Sequence, residues 1–214
     1  RIVYDNVSYT AETSVVGTTI LKVFAPAELT VAVGGAVTVA VYGVTNPTEA
    51  GDYTIALRTT RDADTVSGTV TIVPGPPAAL DIGVADTVYA GDTVTLEVYL
   101  RDQYGNLTTA DEATVVGVYD DDTAFPNFPG DAEWGEVTIS AGNSSNTINW
   151  TPKTAGTTTI NAVDAAGQLQ PGSVAVQVLP GPPDALELTG PSYLDTNAWG
   201  DYTVTPRDAF KNVA

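Results

Sequence analysis

Polar and apolar side chains alternate along residues 93–100. One face of an extended chain there carries Val94, Leu96, Val98 and Leu100, and the other carries Thr93, Thr95, Glu97 and Tyr99. Residues 173–179 repeat the pattern with Val174, Val176 and Val178. Because successive side chains of a strand point to opposite faces, this period of two predicts strands with one buried face and one solvated face.

Short segments of this kind recur throughout residues 78–179. The candidate strands lie at 80–84, 93–100, 113–119, 136–140, 145–150, 157–164 and 173–179. They are rich in Val, Ile and Thr, and turn-forming residues separate them. No segment keeps a helical period for more than one turn. Seven short strands in about 100 residues predict an all-β, immunoglobulin-like antiparallel sandwich. Residues 1–73 add strand-like segments at 2–10, 18–24, 37–44, 53–59 and 69–73.

A proline-rich segment occurs twice in the chain. Pro74-Gly75-Pro76-Pro77 returns 106 positions later as Pro180-Gly181-Pro182-Pro183. The Arg-Asp-x-x-x-Asn segment at 101–106 returns at the same offset, at 207–212. Proline fixes φ and removes a backbone donor, so each copy predicts a short, stiff connector between repeated modules.

The repeat predicts tandem modules with defined boundaries. We expect a first β-sandwich module at 1–73 that is incomplete at its N-terminus, a linker at 74–77, a complete immunoglobulin-like module at 78–179, a linker at 180–183 and the opening strands of a further module at 184–214. The chain is therefore interpreted as a piece of a longer protein. Residues after about Thr189 are expected to be poorly ordered or paired with another copy, because a strand pair without a sheet to cover it is marginal in water.

Composition narrows the classes of function. The chain has 8 Lys and Arg against 26 Asp and Glu, for a formal net charge of −18, which disfavours nucleic acid and anionic membrane surfaces as partners. It has no His and no Cys, which excludes His-based catalytic pairs and the usual zinc ligand sets. We predict that the protein is not an enzyme and that this chain does not insert into a membrane.

Residues 74–186 carry a pattern that resembles the prokaryotic immunoglobulin-like repeats of the invasin and intimin type. The pattern consists of the Pro-Gly-Pro-Pro start, Ala90-Gly91-Asp92 before a strand, the Arg-Asp-x-x-x-Asn segment after it, Ala155-Gly156 before the strand at 157–164, and the alternating Val residues at 174–178. The resemblance implies modules of bacterial or archaeal adhesins and surface-layer proteins. It implies a fold more strongly than a function, because such repeats serve as spacers, adhesins and lattice units alike.

The repeated Asp-x-x-x-Asn segments, Asp102 to Asn106 and Asp208 to Asn212, follow strands. Asp bonds readily to nearby backbone, and Gly and Asn tolerate positive φ, so both segments predict a structural turn. The second copy has Lys211 where the first has Gly105. We therefore expect the Asn to take the left-handed position in both.

Acidic residues are concentrated between Asp102 and Lys153, where no Lys or Arg occurs. Calcium binds six to eight oxygen ligands from flexible loops. The candidate calcium ligands are Asp120, Asp121, Asp122 and Asp131. The spacing matches no EF-hand loop, and a solvated acidic loop is the alternative.

Further candidate sites are sequons and aromatic residues. Candidate N-glycosylation sites are Asn6, Asn106 and Asn143. Phe125, Phe128 and Trp134 lie in one long loop segment. They are interpreted as side chains that pack this loop on the sandwich, with a sugar-stacking platform as the alternative.

The function that these observations favour is structural. We expect a fragment of an extracellular cell-surface protein of a bacterium or archaeon, a surface-layer or surface-filament subunit whose partners are copies of itself or other surface components. The stalk of a cell-surface adhesin is the first alternative. A carbohydrate-binding accessory module is the second.

Overall fold

The structure, a computed structural model, describes residues 1–4, 7–9, 12–16, 20–59, 64–122, 127–128 and 134–214, and for residues 8, 9, 12–16 and 20 it describes the backbone alone. Regular secondary structure in these residues is β-strand. The described part of the chain contains no helix with the length and apolar character needed to cross a bilayer. The chain divides into two compact units, Arg1–Pro47 and Thr48–Ala214.

The described residues of the unit Arg1–Pro47 form short strands. They are β1 (Ile2–Tyr4), β2 (Val7–Tyr9), β3 (Glu12–Val16), β4 (Ile20–Phe24) and β5 (Thr38–Val39). β1 lies between β2 and β5 in one antiparallel sheet, and β3 and β4 form a separate hairpin. The strand predicted at 37–44 is two residues long. Tyr42 beyond it is 74% exposed, so burial does not accompany the alternation there.

The unit Thr48–Ala214 begins with a hairpin of β6 (Gly51–Leu57) and β7 (Val66–Ile72). Its antiparallel register runs from Gly51 opposite Ile72 to Leu57 opposite Val66. Both strands lie within about three residues of the predicted segments at 53–59 and 69–73. A Gly at the start of β6 with a φ of 151° marks the point where the chain leaves the preceding loop.

Residues 79–179 form a two-sheet sandwich. Its strands are β8 (Ala79–Gly83), β9 (Thr87–Tyr89), β10 (Val94–Arg101), β11 (Thr114–Asp120), β12 (Trp134–Ile139), β13 (Ser145–Trp150), β14 (Gly156–Asp164) and β15 (Gly172–Leu179). One sheet has the order β13-β10-β8 and the other has the order β12-β11-β14-β15-β9. Neighbouring strands are antiparallel, except that β9 runs parallel to β15. The predicted fold class, all-β with immunoglobulin-like sandwich modules, is confirmed.

All seven strands predicted in this region are present, with ends that differ by no more than two residues. The sequence did not predict β9, which is three residues long and buries only Val88. A segment with one inward position offers no period to detect. Its parallel pairing with β15 places Val88 opposite Val178.

The alternation along β10 is matched by burial. Leu96, Val98 and Leu100 are fully buried, whereas Glu97 and Tyr99 between them are only partly buried and Thr95 before them is exposed. The facing sheet contributes fully buried aliphatic side chains: Val116, Val118, Ile160 and Val176. Each such side chain stabilises the fold by about 1.5–3 kcal/mol through removal of apolar surface from water. The core of the sandwich therefore lies between β10 and the β11-β14-β15 sheet.

Residues 184–214 contain a strand pair, β16 (Ala185–Thr189) and β17 (Thr203–Arg207). Leu188 pairs with Val204, just as Ile82 pairs with Val98 in β8 and β10. The register of the repeat is thus conserved at an offset of 106 residues. The burial of these side chains is not conserved. Leu188 is 64% exposed, whereas Ile82 is 6% exposed.

Candidate functional site

The Asp-x-x-x-Asn segment at the end of β10 forms a tight turn around one carboxylate. Asp102 Oδ1 accepts hydrogen bonds from the backbone N–H of Tyr104 at 2.8 Å and of Asn106 at 2.9 Å. Asp102 Oδ2 accepts from the Asn106 amide Nδ2 at 2.8 Å and from the backbone N–H of Gly75 at 2.9 Å. The turn predicted from the sequence is therefore present, and it also holds the Pro-Gly-Pro-Pro segment through Gly75.

The second copy of the segment, at the end of β17, has the same four donors. Asp208 Oδ1 accepts from the backbone N–H of Phe210 at 2.9 Å and of Asn212 at 2.8 Å. Asp208 Oδ2 accepts from Asn212 Nδ2 at 2.7 Å and from the backbone N–H of Gly181 at 2.9 Å. Gly75 and Gly181 are the glycines of the two Pro-Gly-Pro-Pro segments, so each of these segments is held by the Asp that follows it.

The Asn of the first turn also contacts the loop before β6. Asn106 Oδ1 accepts from the backbone N–H of Ala50 at 2.9 Å, and Asn106 Nδ2 donates to the carbonyl oxygen of Thr48 at 2.8 Å. One side-chain amide thus satisfies both a carbonyl oxygen and an N–H of the loop, two residues apart. The turn thus joins β10, the Pro-Gly-Pro-Pro segment and a loop more than fifty residues upstream.

The Asn of the second turn makes the equivalent pair of contacts. Asn212 Oδ1 accepts from the backbone N–H of Ala155 at 2.9 Å, and Asn212 Nδ2 donates to the carbonyl oxygen of Lys153 at 2.8 Å. In both cases the gripped Ala precedes the Gly that begins a strand, β6 or β14. We call each set of contacts a junction clasp; it consists of the Asp, the Asn, the Gly of the Pro-Gly-Pro-Pro segment and the loop that the Asn contacts.

The position with positive φ differs from the expectation. Gly105 has a φ of 86° and Lys211 has a φ of 71°, whereas neither Asn106 nor Asn212 has a positive φ. The prediction that Asn takes the left-handed position was therefore wrong. The amide of each Asn is committed to the clasp, and the residue before it makes the turn even when that residue is a Lys.

Both clasp carboxylates are stabilised in the charged form. The amide of Asn106, with the backbone N–H groups of Gly75, Asn106 and Tyr104, lowers the pKa of Asp102 to about 2 against the opposing effect of burial. Burial alone would raise the pKa of Asp208, but the hydrogen bonds from Asn212 and Gly181 lower it below its ordinary value. At neutral pH both clasps therefore contain an ionised Asp with only 3% of its surface exposed.

The predicted calcium ligands at the end of β11 face different donors. Asp120 Oδ2 accepts from the indole N–H of Trp150 at 2.6 Å, and burial raises the pKa of Asp120. Asp121 accepts hydrogen bonds from the hydroxyl of Thr158 and the backbone N–H of Thr159, and the first of these does most to lower its pKa. Asp120 thus contacts β13, whereas Asp121 contacts β14.

The remaining predicted ligands are Asp122 and Asp131. Asp122 is partly buried, and its Oδ2 lies 3.4 Å from the side-chain Nδ2 of Asn127, a residue that the sequence did not indicate. Asp131 lies outside the described residues. Within the described residues no three Asp, Glu, His or Cys side chains converge as a metal site would require.

The predicted sequons fall in different environments. Both amide hydrogens of Asn106 are used, one by Thr48 and one by Asp102, so a glycan on Asn106 would displace a clasp hydrogen bond. Asn143 is exposed in the turn between β12 and β13, where glycosylation stays a prediction. Asn6 lies outside the described residues.

The aromatic residues near β12 are divided between core and surface. Phe128 is 4% exposed and belongs to the core, as the packing interpretation expects. Trp134 is 64% exposed, and its ring lies over Gly117 of the neighbouring strand, where an added Cβ would be 3.0 Å from the ring. Trp134 therefore presents a ring face to solvent. Phe125 lies outside the described residues.

No family model matches this chain, and no curated protein matches it in sequence. Among solved structures it is similar to the CARDB domain of a Pyrococcus furiosus protein in complex with di-metal ions, with 23% identity, a TM-score of 0.33 and coverage of 50% of this chain and 97% of that one. It is also similar to domains 1–6 of surface layer protein SbsC, with 22% identity, a TM-score of 0.34 and coverage of 86% and 22%. A PKD domain of an M14-like peptidase from a Thermoplasmatales archaeon shows 17% identity, a TM-score of 0.32 and coverage of 50% and 98%. Likeness at this level says nothing of activity or partners.

Proposed function

We propose that this chain is a structural segment of an extracellular cell-surface protein, in which junction clasps hold successive immunoglobulin-like modules in a fixed relation. The modules proposed are those predicted from the repeat, at 1–73, 78–179 and 184–214, with linkers at 74–77 and 180–183. The subunit of a surface layer or surface filament on a bacterium or archaeon is the form of this role that we favour. Its partners are then copies of itself or other surface components.

The observation that carries the proposal is the recurrence of one clasp at two successive junctions. Corresponding hydrogen bonds differ by no more than 0.1 Å in length between the two copies. A flexible spacer needs only a polar linker. In this chain, by contrast, an ionised Asp and an Asn amide hold each linker in place, which favours junctions with a defined geometry.

Composition supports the same role. A side-chain set without His and Cys offers no His-based nucleophile or base, so the proposal includes no catalysis. The charge of −18 suits a solvated surface and opposes binding to nucleic acid. A fold of this class hosts many unrelated functions, so the argument rests on the clasps and not on the sandwich.

The test is to remove one clasp in the full chain. Asn212→Ala deletes the side-chain hydrogen bonds to Lys153, Ala155 and Asp208, each worth about 0.5–1.5 kcal/mol. We expect backbone ¹⁵N relaxation to show residues 184–214 tumbling separately from residues 79–179, whose signals stay unchanged. Asn143→Ala, which changes an exposed Asn outside the clasps, is the matched control. Unchanged relaxation in Asn212→Ala would contradict a clasp that fixes the junction.

Assembly separates the surface layer or filament from the adhesin stalk, the first alternative. Purified protein examined by electron microscopy over a range of salt and calcium concentrations is expected to form ordered arrays or filaments if it is a lattice subunit. A stalk would remain a single rod with intact clasps. That outcome would exclude a lattice subunit and would leave the proposed role of the clasps unchanged.

A second candidate function, carbohydrate binding, is favoured by the exposed ring of Trp134. Aromatic rings stack on sugar faces, and this ring already has one face on Gly117 and the other in solvent. A glycan array with the full chain tests it. Saturable binding that Trp134→Ala abolishes would establish the candidate, and an empty array would dismiss it.

A further inference from the structure

The hairpin β6–β7 repeats a strand pair of the complete sandwich. The Ala-Gly pair before β6 returns before β14 at an offset of 105 residues. Gly51 pairs with Ile72 in the hairpin, just as Gly156 pairs with Val178 in β14 and β15. Each strand position of β6–β7 therefore has a counterpart in β14–β15.

The face of β6–β7 that corresponds to the core face of β14–β15 is apolar and largely exposed. Its large side chains are Tyr53, Ile55, Leu57, Val70 and Ile72. Ile55 is 61% exposed, whereas its counterpart Ile160 is fully buried. Val70 is 42% exposed, whereas its counterpart Val176 is fully buried. A two-stranded hairpin is marginal in water without a cover on its apolar face, so this face calls for a partner.

The pair β16–β17 has the same relation to β8 and β10, as the shared register shows. Its face that corresponds to the core face of β8–β10 carries exposed apolar side chains: Leu186, Leu188, Tyr202 and Val204. The charged residues of this pair, Glu187 and Arg207, lie on the opposite face and form an ion pair with each other. The apolar face is thus uncharged.

In the complete sandwich these two kinds of face pack against each other. β8 packs on β14 and β15, and one core contains side chains of both sheets: Leu80, Ile82, Val98, Ile160 and Val176. β16–β17 and β6–β7 are therefore the two complementary halves of one sandwich core. Because Leu188 and Ile55 are both exposed, neither half covers the other within a chain.

We propose that β16–β17 of one copy packs on β6–β7 of a second copy and completes a sandwich core between the two chains. This inference rests on the proposed function and deepens it, because it names the surfaces through which copies of the chain associate. The two partners use different surfaces, so the contact is heterologous and repeats from head to tail. The chain carries a net charge of −18, so copies repel one another and salt is expected to strengthen their association.

Sedimentation velocity of the full chain in about 1 M salt, where the Debye length is about 3 Å, tests the proposal. Ile55→Asp places a charge in one face and Leu188→Asp places a charge in the other. Both residues are exposed in the single chain, so each variant is expected to remain folded. Burial of an unpaired carboxylate is costly, so each variant alone is expected to associate at least about tenfold more weakly than the unaltered chain.

Matched controls place the same charge on the opposite faces of the same strand pairs. Thr54→Asp on β6 and Thr203→Asp on β17 change exposed residues. We expect each control to alter association by less than about twofold, because the added charge stays in water.

A mixture of the two face variants distinguishes the proposed contact from other modes of association. Ile55→Asp keeps an intact β16–β17 face, and Leu188→Asp keeps an intact β6–β7 face. Each variant alone should be monomeric, and an equimolar mixture should form a dimer with one chain of each variant that does not grow further. A symmetric contact between two β16–β17 faces would instead leave Ile55→Asp able to associate, and that result would overturn the proposal.

Two further results would also overturn it. An unaltered chain that stays monomeric at every concentration and salt would show that these faces are not covered by a second copy. Association that neither variant weakens would show that copies meet through other surfaces, and would leave the proposed surface filament standing. Failure of the clasps is read separately, from backbone relaxation in Asn212→Ala.

Discussion

The two junctions form the same hydrogen bonds in different surroundings. In the first, Tyr104 is 60% exposed beside the clasp. In the second, Phe210 stands at the equivalent position and packs against the core of the sandwich, with its ring over Gly91. The polar contacts are thus constant and the apolar contact varies. This difference indicates that the Asp and Asn define the geometry of a junction, whereas the aromatic residue adjusts its stability.

Acid is expected to have the largest effect because it acts on both junctions at once. The pKa of Asp102 is about 2 and that of Asp208 is also lowered. A free Asp titrates near about 3.9, so between pH about 4 and about 2 the unfolded chain binds more protons than the folded one. The stabilisation by the first clasp is therefore complete above this window and is lost as the pH falls through it, and the stabilisation by the second clasp is also lost as the pH falls below the ordinary Asp value.

The backbone N–H signals of Gly75 and Gly181 measure this directly, because each N–H donates to one of the two carboxylates. Global unfolding would be a poorer measure, since burial raises the pKa of Asp120 and gives a contribution of opposite sign. Both signals should shift together with the fitted pKa of the adjoining Asp. Signals that instead shift with the ordinary Asp pKa of about 3.9 would show that these hydrogen bonds do not stabilise the ionised carboxylates.

Truncation of the aromatic residue should separate the two junctions. Phe210→Ala removes a partly buried ring and is expected to lower the opening free energy of the β16–β17 pair by about 2 kcal/mol. Tyr104→Ala removes an exposed ring and is expected to cost less than about 0.5 kcal/mol. Native-state hydrogen exchange gives both values. Equal losses would mean that the exposed and packed rings contribute alike, and would contradict the inference that the aromatic residue adjusts the stability of each junction.

The two linker glycines form a second matched pair. A Cβ on Gly181 would lie 2.9 Å from the carbonyl oxygen of Ala90, whereas a Cβ on Gly75 would lie 3.6 Å from Asp102, an ordinary contact. Gly181→Ala is therefore expected to destabilise its junction by about 1–2 kcal/mol through overpacking. Gly75→Ala is expected to be neutral or stabilising by up to about 1 kcal/mol, since Ala restricts the unfolded chain. Thermal unfolding of the two variants ranks them, and the reverse order would refute the steric argument.

The fold could be predicted from the sequence much further than the site. Burial with period two is a local property, so the alternation of Leu96, Val98 and Leu100 identified β10 without knowledge of its partners. The contacts of Asn106 with Thr48 and Ala50 span more than fifty residues, and no local pattern encodes them. A signal did exist, in the Ala-Gly pair before β6 that returns before β14 at an offset of 105 residues.

Contacts between residues far apart in sequence also limited what could be predicted for the acidic loop. Its density of charge was visible in the sequence, but the donors to Asp120 and Asp121 come from β13 and β14, thirty or more residues away. Asn127, whose buried amide donates to Asp120, carries no charge and had no neighbouring pattern to mark it. Burial of an amide oxygen is a property of the folded chain and cannot be inferred from composition.

The smallest expected effect concerns the left-handed position of the turn. Gly105 and Lys211 both have positive φ, and a side chain with a Cβ costs about 1 kcal/mol in that region. Lys211→Gly should therefore stabilise the second junction by somewhat less than this, because Gly also gains entropy in the unfolded chain. Gly105→Lys should destabilise the first junction by a similar amount. The Arg207 guanidinium donates to the backbone carbonyl oxygen of Lys211, so this hydrogen bond does not depend on the side chain that is exchanged. Hydrogen exchange of the backbone N–H groups of Asn106 and Asn212, which are the last donors in each turn, measures both changes. A loss of protection in Lys211→Gly would show that the Lys side chain stabilises the second clasp by more than its backbone strain costs.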